Sequence, residues 1–243
     1  MVGMNHPFTP VQISLVSIAF LLVGPSLGRA VAPVITNAAS VEIYYDAGIP
    51  GDVQFGHRIV ATGSPTTFEA TGLPAEATLD RTTGWINGSR NHPGIYDVTV
   101  RATNADGAGT ASVRLTIHPA ATGVVSSQGA FRAGQNFTVT VRYNTPVTVT
   151  GVPSLTLAIG PLAAPEFKAA GYVSGSGSNE LVFRYVVAGN DAAPDGVRLV
   201  PRAPAGGAIC DASGLTVSPS LPMRHFDAGI TIAAVVQPSS VAL

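Results

Sequence analysis

Beyond residue 30, apolar and polar residues alternate with a period of two. Tyr96, Val98, Val100 and Ala102 are apolar, with Asp97, Thr99, Arg101 and Thr103 between them. Ala111, Val113, Leu115 and Ile117 alternate with Ser112, Arg114 and Thr116. The same rhythm runs through Phe137, Val139, Val141 and Tyr143, and again through Leu181, Phe183, Tyr185 and Val187. Successive side chains of a strand point to opposite faces, so each run predicts a strand with one face packed and the other wet. Apolar residues at the helical spacing of 3.6 are absent from this part of the chain. Thr83-Gly84, Asn87-Gly88, Pro93-Gly94, Asp106-Gly107 and Asp195-Gly196 read as turns between the runs. Short strands punctuated in this way predict an all-β chain built of sandwiches.

One segment breaks the rhythm. Val11–Gly24 is a continuous apolar run, VQISLVSIAFLLVG. It falls short of the about 20 apolar residues that a membrane-spanning helix needs. Gly28 and Ala30 then supply small residues at the spacing read by a signal peptidase, which predicts an export signal cleaved after Ala30. Residues 1–10 depart from the usual leader in carrying no Lys or Arg. No Cys follows the run to accept a lipid, and the last residues are too short to anchor, so no transmembrane anchor is expected in the mature chain. Pro119 removes a ladder donor and restricts His118 before it, which marks a boundary after the run ending at Ile117. The expected organisation is a signal peptide at 1–30, a linker at 31–40, one sandwich at 41–118, a second at 119–234 and a tail at 235–243.

Composition narrows the classes. The 243 residues carry 13 Lys and Arg, 14 Asp and Glu, and a formal net charge of −1. With 46% hydrophobic and 11% charged residues, the chain is not disordered by charge. Without a basic excess it lacks the electrostatic footprint of a nucleic-acid binder. Lys168 is the one lysine; the other basic residues are arginines, a coding bias of GC-rich bacteria rather than a binding signal. The single cysteine, Cys210, cannot form an internal disulfide. In an exported chain it is either a buried soft apolar residue or a thiol available for pairing between chains.

Two stretches resemble known bacterial domains. The first carries Gly72-Leu73-Pro74, Leu79, Thr83-Gly84-Trp85-Ile86-Asn87-Gly88, Pro93-Gly94-Ile95-Tyr96, Val98-Thr99-Val100 and Ala102-Thr103-Asn104, in that order. This pattern resembles the He_PIG family of bacterial Ig-like domains, a cadherin-like sandwich, over most of 41–118. The resemblance departs at Trp85, where the family has a smaller apolar residue. Its expected core is Leu73, Leu79, Ile86, Tyr96 and Val98. The second half, through Phe131–Val141, Pro146–Leu157, Tyr172–Phe183 and Ala208–Gly214, resembles the SwmB-type Ig-like surface repeat. Together these resemblances imply two tandem Ig-like or cadherin-like β-sandwiches after an N-terminal signal segment. Such domains serve adhesion, spacing or display in bacterial surface and secreted proteins.

A search for chemistry returns no catalytic constellation. The Gly24-Pro-Ser-Leu-Gly28 pentapeptide fits a nucleophile elbow but lies in the leader, away from any strand–turn–helix context. The five histidines, 6, 57, 92, 118 and 225, are scattered. Asp191 with Asp195, and Asn104 with Asp106, offer oxygen ligands of the kind calcium takes. The reading preferred for Asp191 and Asp195 is solvated turn residues. No cofactor is expected, and calcium is the one cation weighed. Trp85 reads as a ring covering the sandwich edge in preference to a sugar-stacking platform. Tyr44 and Tyr45 place one ring in and one out. The expectation is a secreted or surface-located, non-enzymatic bacterial module protein. It would have an adhesive or structural role, with a protein or glycan at the cell surface as partner. The other function weighed is an accessory unit binding extracellular polysaccharide.

Overall fold

The computed structural model describes residues 31–44, 54–222, 226–227 and 229–233, and all regular structure among them is strand. The expected leader, the tail and Tyr45 lie outside these residues. The first module contains β1 (Val41–Ile43), β2 (Gln54–Arg58), β3 (Thr67–Thr71), β4 (Thr78–Leu79), β5 (Trp85–Ser89), β6 (Gly94–Asn104) and β7 (Gly107–Ile117). They form a four-stranded sheet ordered β1-β7-β6-β3 and a three-stranded sheet ordered β2-β5-β4. β1 runs parallel to β7, and the other pairs are antiparallel.

The alternation read from sequence becomes the interior of this sandwich. Val98, Val100 and Ala102 of β6 and Val113, Leu115 and Ile117 of β7 are buried, with Ile86 of β5 facing them from the other sheet. Leu73, Leu79 and Tyr96 are partly buried against the same cluster. β6 and β7 pair without a break from Gly94↔Ile117 to Asn104↔Gly107, closed by a two-residue turn at Ala105-Asp106. Gly84 follows its turn at φ 75°, a left-handed conformation that favours glycine.

Two expectations need correcting. Asn87-Gly88 is not a turn but the middle of β5. A Cβ on Gly88 would lie 2.7 Å from the Phe55 ring and 2.9 Å from the Ala77 Cβ, so this glycine serves close packing within a strand. Residues 31–40 are not a free linker. Thr36 N donates to Val60 O at 2.9 Å, Thr62 N donates to Val34 O at 2.9 Å, and Ile35 packs against the first core. The Asn37 side chain also takes both the Val60 N–H and the Arg58 carbonyl, at 2.8 and 2.7 Å. Backbone donors and acceptors beside an open strand gain by pairing, and the polar residues of this segment do not prevent it.

The second module adds β8 (Ala121–Ser126), β9 (Gly129–Phe131), β10 (Asn136–Ile159), β11 (Glu166–Ser174) and β12 (Ser178–Val186). It continues with β13 (Arg198–Leu199), β14 (Ala205–Asp211), β15 (Phe226–Asp227) and β16 (Ile230–Ile232). β10 organises it. The first half of β10 pairs with β8 and β12, and its second half with β14, β11 and β13. Register shifts fall at Arg142/Val147 and Gly151/Ser154, with Gly151 at φ 77°. Such irregularities bend a strand and let it serve two sets of neighbours. Pro146 and Pro153, which lack a ladder donor, sit at these irregular stretches. The inward residues of both halves, including Phe137, Val139, Val141, Leu155 and Leu157, enclose one core with Leu181, Phe183 and Ile230.

Tyr143 belongs to this core at 3% exposure, yet its buried hydroxyl has no hydrogen-bond partner among the described residues. Burial pushes its phenol well above the ordinary range. Removing an unpaired buried hydroxyl abolishes its desolvation cost. Tyr143→Phe is therefore expected to raise stability by about 1 kcal/mol, measured by urea unfolding. A loss of stability would show that the hydroxyl is satisfied in solution.

Candidate functional site

The most constrained polar geometry lies where the two modules meet. His118 follows β7 directly and is 7% exposed. Its backbone N–H donates to Ile43 O of the first module at 3.0 Å. Its Nδ1 lies 2.8 Å from Thr216 O of the second module, and its Nε2 lies 2.7 Å from Glu42 Oε2 of the first. Both partners are acceptors, so both contacts are made when each ring nitrogen carries a proton. Tyr44 stacks on the imidazole with centroids 4.0 Å apart and planes 15° apart. The next residues are bonded as tightly. Ser218 N donates to Pro119 O at 2.7 Å, and Asn144 exchanges bonds with both backbone groups of Ala120 at 3.0 Å. Asn144 Nδ2 reaches back to Arg90 O at 3.1 Å. The passage from one sandwich to the other is thus bonded on both sides.

The acidic loop after β12 differs from its expected form. Asp195 is exposed, but Asp191 is buried at 4% exposure rather than solvated. Its Oδ2 accepts from the Tyr185 hydroxyl at 2.6 Å and from Ala188 N at 2.7 Å. Its Oδ1 lies 3.9 Å from Nζ of Lys168, which also pairs with Glu166 at 2.6 Å. Glu166 raises the Lys168 ammonium above its usual value, and burial together with Asp191 raises the Tyr185 phenol. The aspartate turns inward because a buried carboxylate with these donors is satisfied within the fold. Asn104 is likewise occupied. Its Oδ1 accepts from Asp106 N at 2.9 Å, and its Nδ2 donates to Val31 O and Gly63 O at 2.8 and 2.6 Å. Among the described residues, no three His, Cys, Asp or Glu side chains form a group that could hold a metal.

The remaining candidates are dispersed. Trp85 is 41% exposed on the outer face of the three-stranded sheet. Cys210, half-buried in β14, is a free thiol. His57 in β2 has a buried Nε2 without a partner among the described residues, and desolvation lowers its imidazole below the ordinary value. A groove of about 440 Å³ beside β3 is lined by Phe68, Leu73, Leu79, Glu69 and Arg81, and its charged pair is spent on an ion pair at 2.8 Å. Sequence reasoning missed the His118 joint, because its partners, Glu42, Ile43, Tyr44 and Thr216, all lie far from it in the chain.

Two strand-built cores, each enclosed by alternating residues, define a tandem pair of β-sandwiches. Residues 32–118 match the model of the family He_PIG, Putative Ig domain. That match begins inside the segment hydrogen-bonded to residues 58–62 rather than at β1. No curated protein matches the chain. Among solved structures, it is similar to a putative alpha-galactosidase/melibiase from Bacteroides fragilis at 31% identity. That alignment covers 36% of this chain and 18% of the other, with a TM-score of 0.32. A second putative alpha-galactosidase from the same organism matches at 24% identity over 43% and 21% of the two chains, with a TM-score of 0.31. Titin domains I67–I69 match at 10% identity over 84% and 66%, with a TM-score of 0.33. The chain spans about a fifth of the length of the two galactosidase structures.

Two measurements follow from this geometry. His118→Ala strips Thr216 O and the Glu42 carboxylate of their shared partner. It is expected to cost about 2 kcal/mol and to widen the range of module orientations seen by small-angle scattering. An unchanged profile would show that the joint does not depend on the ring. The lowered His57 value means that the unfolded chain binds the proton first. Its contribution is therefore complete above the ordinary imidazole value of 6.5 and is lost as pH falls through the lower folded value. Denaturant unfolding at neutral and at mildly acidic pH should show a smaller acid loss in His57→Phe than in the parent chain.

Proposed function

We propose that this chain is an exported, non-enzymatic Ig-like module protein, an adhesive or structural element of the bacterial cell surface. In this reading the second module is a SwmB-type surface repeat, and the partner is a protein or glycan met outside the cell. The joint at His118 carries the proposal. A display or spacing element must hold its modules in a fixed relation, and the two sandwiches are bonded through residues 118–120 without free chain between them. Asp191, Tyr185, Lys168 and Glu166 are bonded to one another, and the small pocket of about 170 Å³ that Glu166 and Asp191 line is otherwise walled mainly by apolar residues and backbone. A binding role in place of a purely structural one is favoured by the exposed Trp85 on an outer sheet face.

The test is the location and start of the mature chain. Cells and medium are fractionated and the mature N-terminus is read by sequencing. Export predicts recovery outside the cytoplasm with a new terminus at Val31. Cytoplasmic protein retaining Met1 would overturn the reading.

A further inference from the structure

The outer face of the three-stranded sheet has an unusual make-up. Its outward positions are Gln54, Gly56 and Arg58 on β2, Trp85, Asn87 and Ser89 on β5, and Thr78 on β4. Cross-strand register sets Arg58 opposite Trp85, Gly56 opposite Asn87, Gln54 opposite Ser89, and Thr78 opposite Asn87. The six-membered ring of the indole rests over Gly56. A Cβ there would lie 3.4 Å from Trp85 Cζ3 and 3.2 Å from Asn87 Oδ1. Glycine therefore lets the ring lie low against the sheet, with amides and hydroxyls around it. The indole is 41% exposed, while the core beneath is filled by Phe55 and Ile86.

Arg58 gives this face its charge. On the other sheet of the module and its border, arginines are neutralised: Arg81 and Arg101 by Glu69 at 2.8 and 3.4 Å, and Arg114 by Asp97 at 2.8 Å. Arg58 has no carboxylate partner among the described residues. Its Nε donates to Thr83 O at 3.4 Å, and the residue is exposed. The nearby Asp80 carboxylate accepts from Thr82 N and Thr83 N at 2.8 and 3.0 Å, and those bonds hold it below the usual carboxylate range.

We propose that this face binds an acidic polysaccharide, with Trp85 stacking on a sugar ring, Arg58 pairing with an anionic substituent, and Gln54, Asn87 and Thr78 hydrogen-bonding hydroxyls. An aromatic face offers a platform for the C–H side of a ring, and a guanidinium matches carboxylate or sulfate. A folded protein partner would call for further apolar anchors, whereas the indole's neighbours here are polar. A nucleic acid would call for a basic stripe, whereas this face carries one arginine. The inference deepens the adhesive reading above by naming its ligand class.

Trp85 is the one tryptophan of the chain, so its fluorescence reports directly on this face. Full-length protein is titrated with polygalacturonate, dextran sulfate and neutral dextran, and affinity electrophoresis through the same polymers provides a second readout. Saturable change in emission with a polyanion, weakened by salt, is expected, and the stronger of the two acidic polymers identifies the anion as carboxylate or sulfate. Trp85→Ala should abolish retardation while keeping the melting transition, because the ring lies outside the core. Arg58→Gln should weaken binding at least about tenfold. No binding to either polyanion, equal binding to neutral dextran, or retardation unaltered by Trp85→Ala would each overturn the proposal. Polymer binding in vitro does not depend on export, so failure here and failure of the localisation test are separate outcomes.

Discussion

The structure depends on a passage of three residues between two cores. Ile117 closes the first interior and Ala121 opens the second, so His118, Pro119 and Ala120 must satisfy their polar groups where water has little access. They do so by dividing partners between the modules. His118 takes Glu42 from one side and Thr216 from the other, while Ala120 is held through Asn144, whose amide also reaches Arg90. Each sandwich can bury its own apolar face, but their mutual arrangement rests on these few directional bonds. Hydrogen bonds fix geometry in a way that hydrophobic burial, which has no direction, does not.

The second module meets a related problem within a single strand. β10 is too long to remain flat against one set of neighbours, and its irregular stretches at Pro146 and Gly151 to Pro153 turn it from one set to another. Prolines and glycines that would weaken an ordinary ladder are tolerated there because the register already shifts. The same logic separates the glycines of the first module. Gly84 supplies a left-handed turn, whereas Gly88 lies within a strand and makes room for Phe55.

Charge is used sparingly and mostly locally. Arg81, Arg101, Arg114 and Arg142 pair with nearby carboxylates, the one lysine bridges Glu166 and the buried Asp191, and Asp80 is spent on its own turn. In the first module, Arg58 has no carboxylate partner among the described residues and lies opposite the exposed indole. The low charge content of the sequence therefore has a structural meaning. Wet faces are clad in Thr, Ser and small residues, so the few ionised groups stand out as locks or as contacts for something outside the chain.

The strands and their inward faces were legible from sequence alone, because the side-chain period of a strand is fixed at two and the buried face must be apolar. Val98, Val100, Val113, Leu115, Phe137, Val139, Leu181 and Phe183 all lie where alternation put them. Local pattern was less reliable where meaning depended on a distant neighbour. Asn87-Gly88 has the composition of a turn but is strand because Phe55 needs the space. Asp191 has the composition of a wet loop but is buried because Tyr185 and Lys168 await it. Residues 31–40 look like a linker, but residues 34–37 bond to the backbone at residues 58–62. At His118 the sequence showed only the boundary marked by Pro119 and not the joint, since its ring's partners come from residues 42, 44 and 216. Periodicity is a property of neighbours in sequence, which the chain carries in itself. Joints, buried charges and binding faces are properties of neighbours in space, and only the folded chain brings those together.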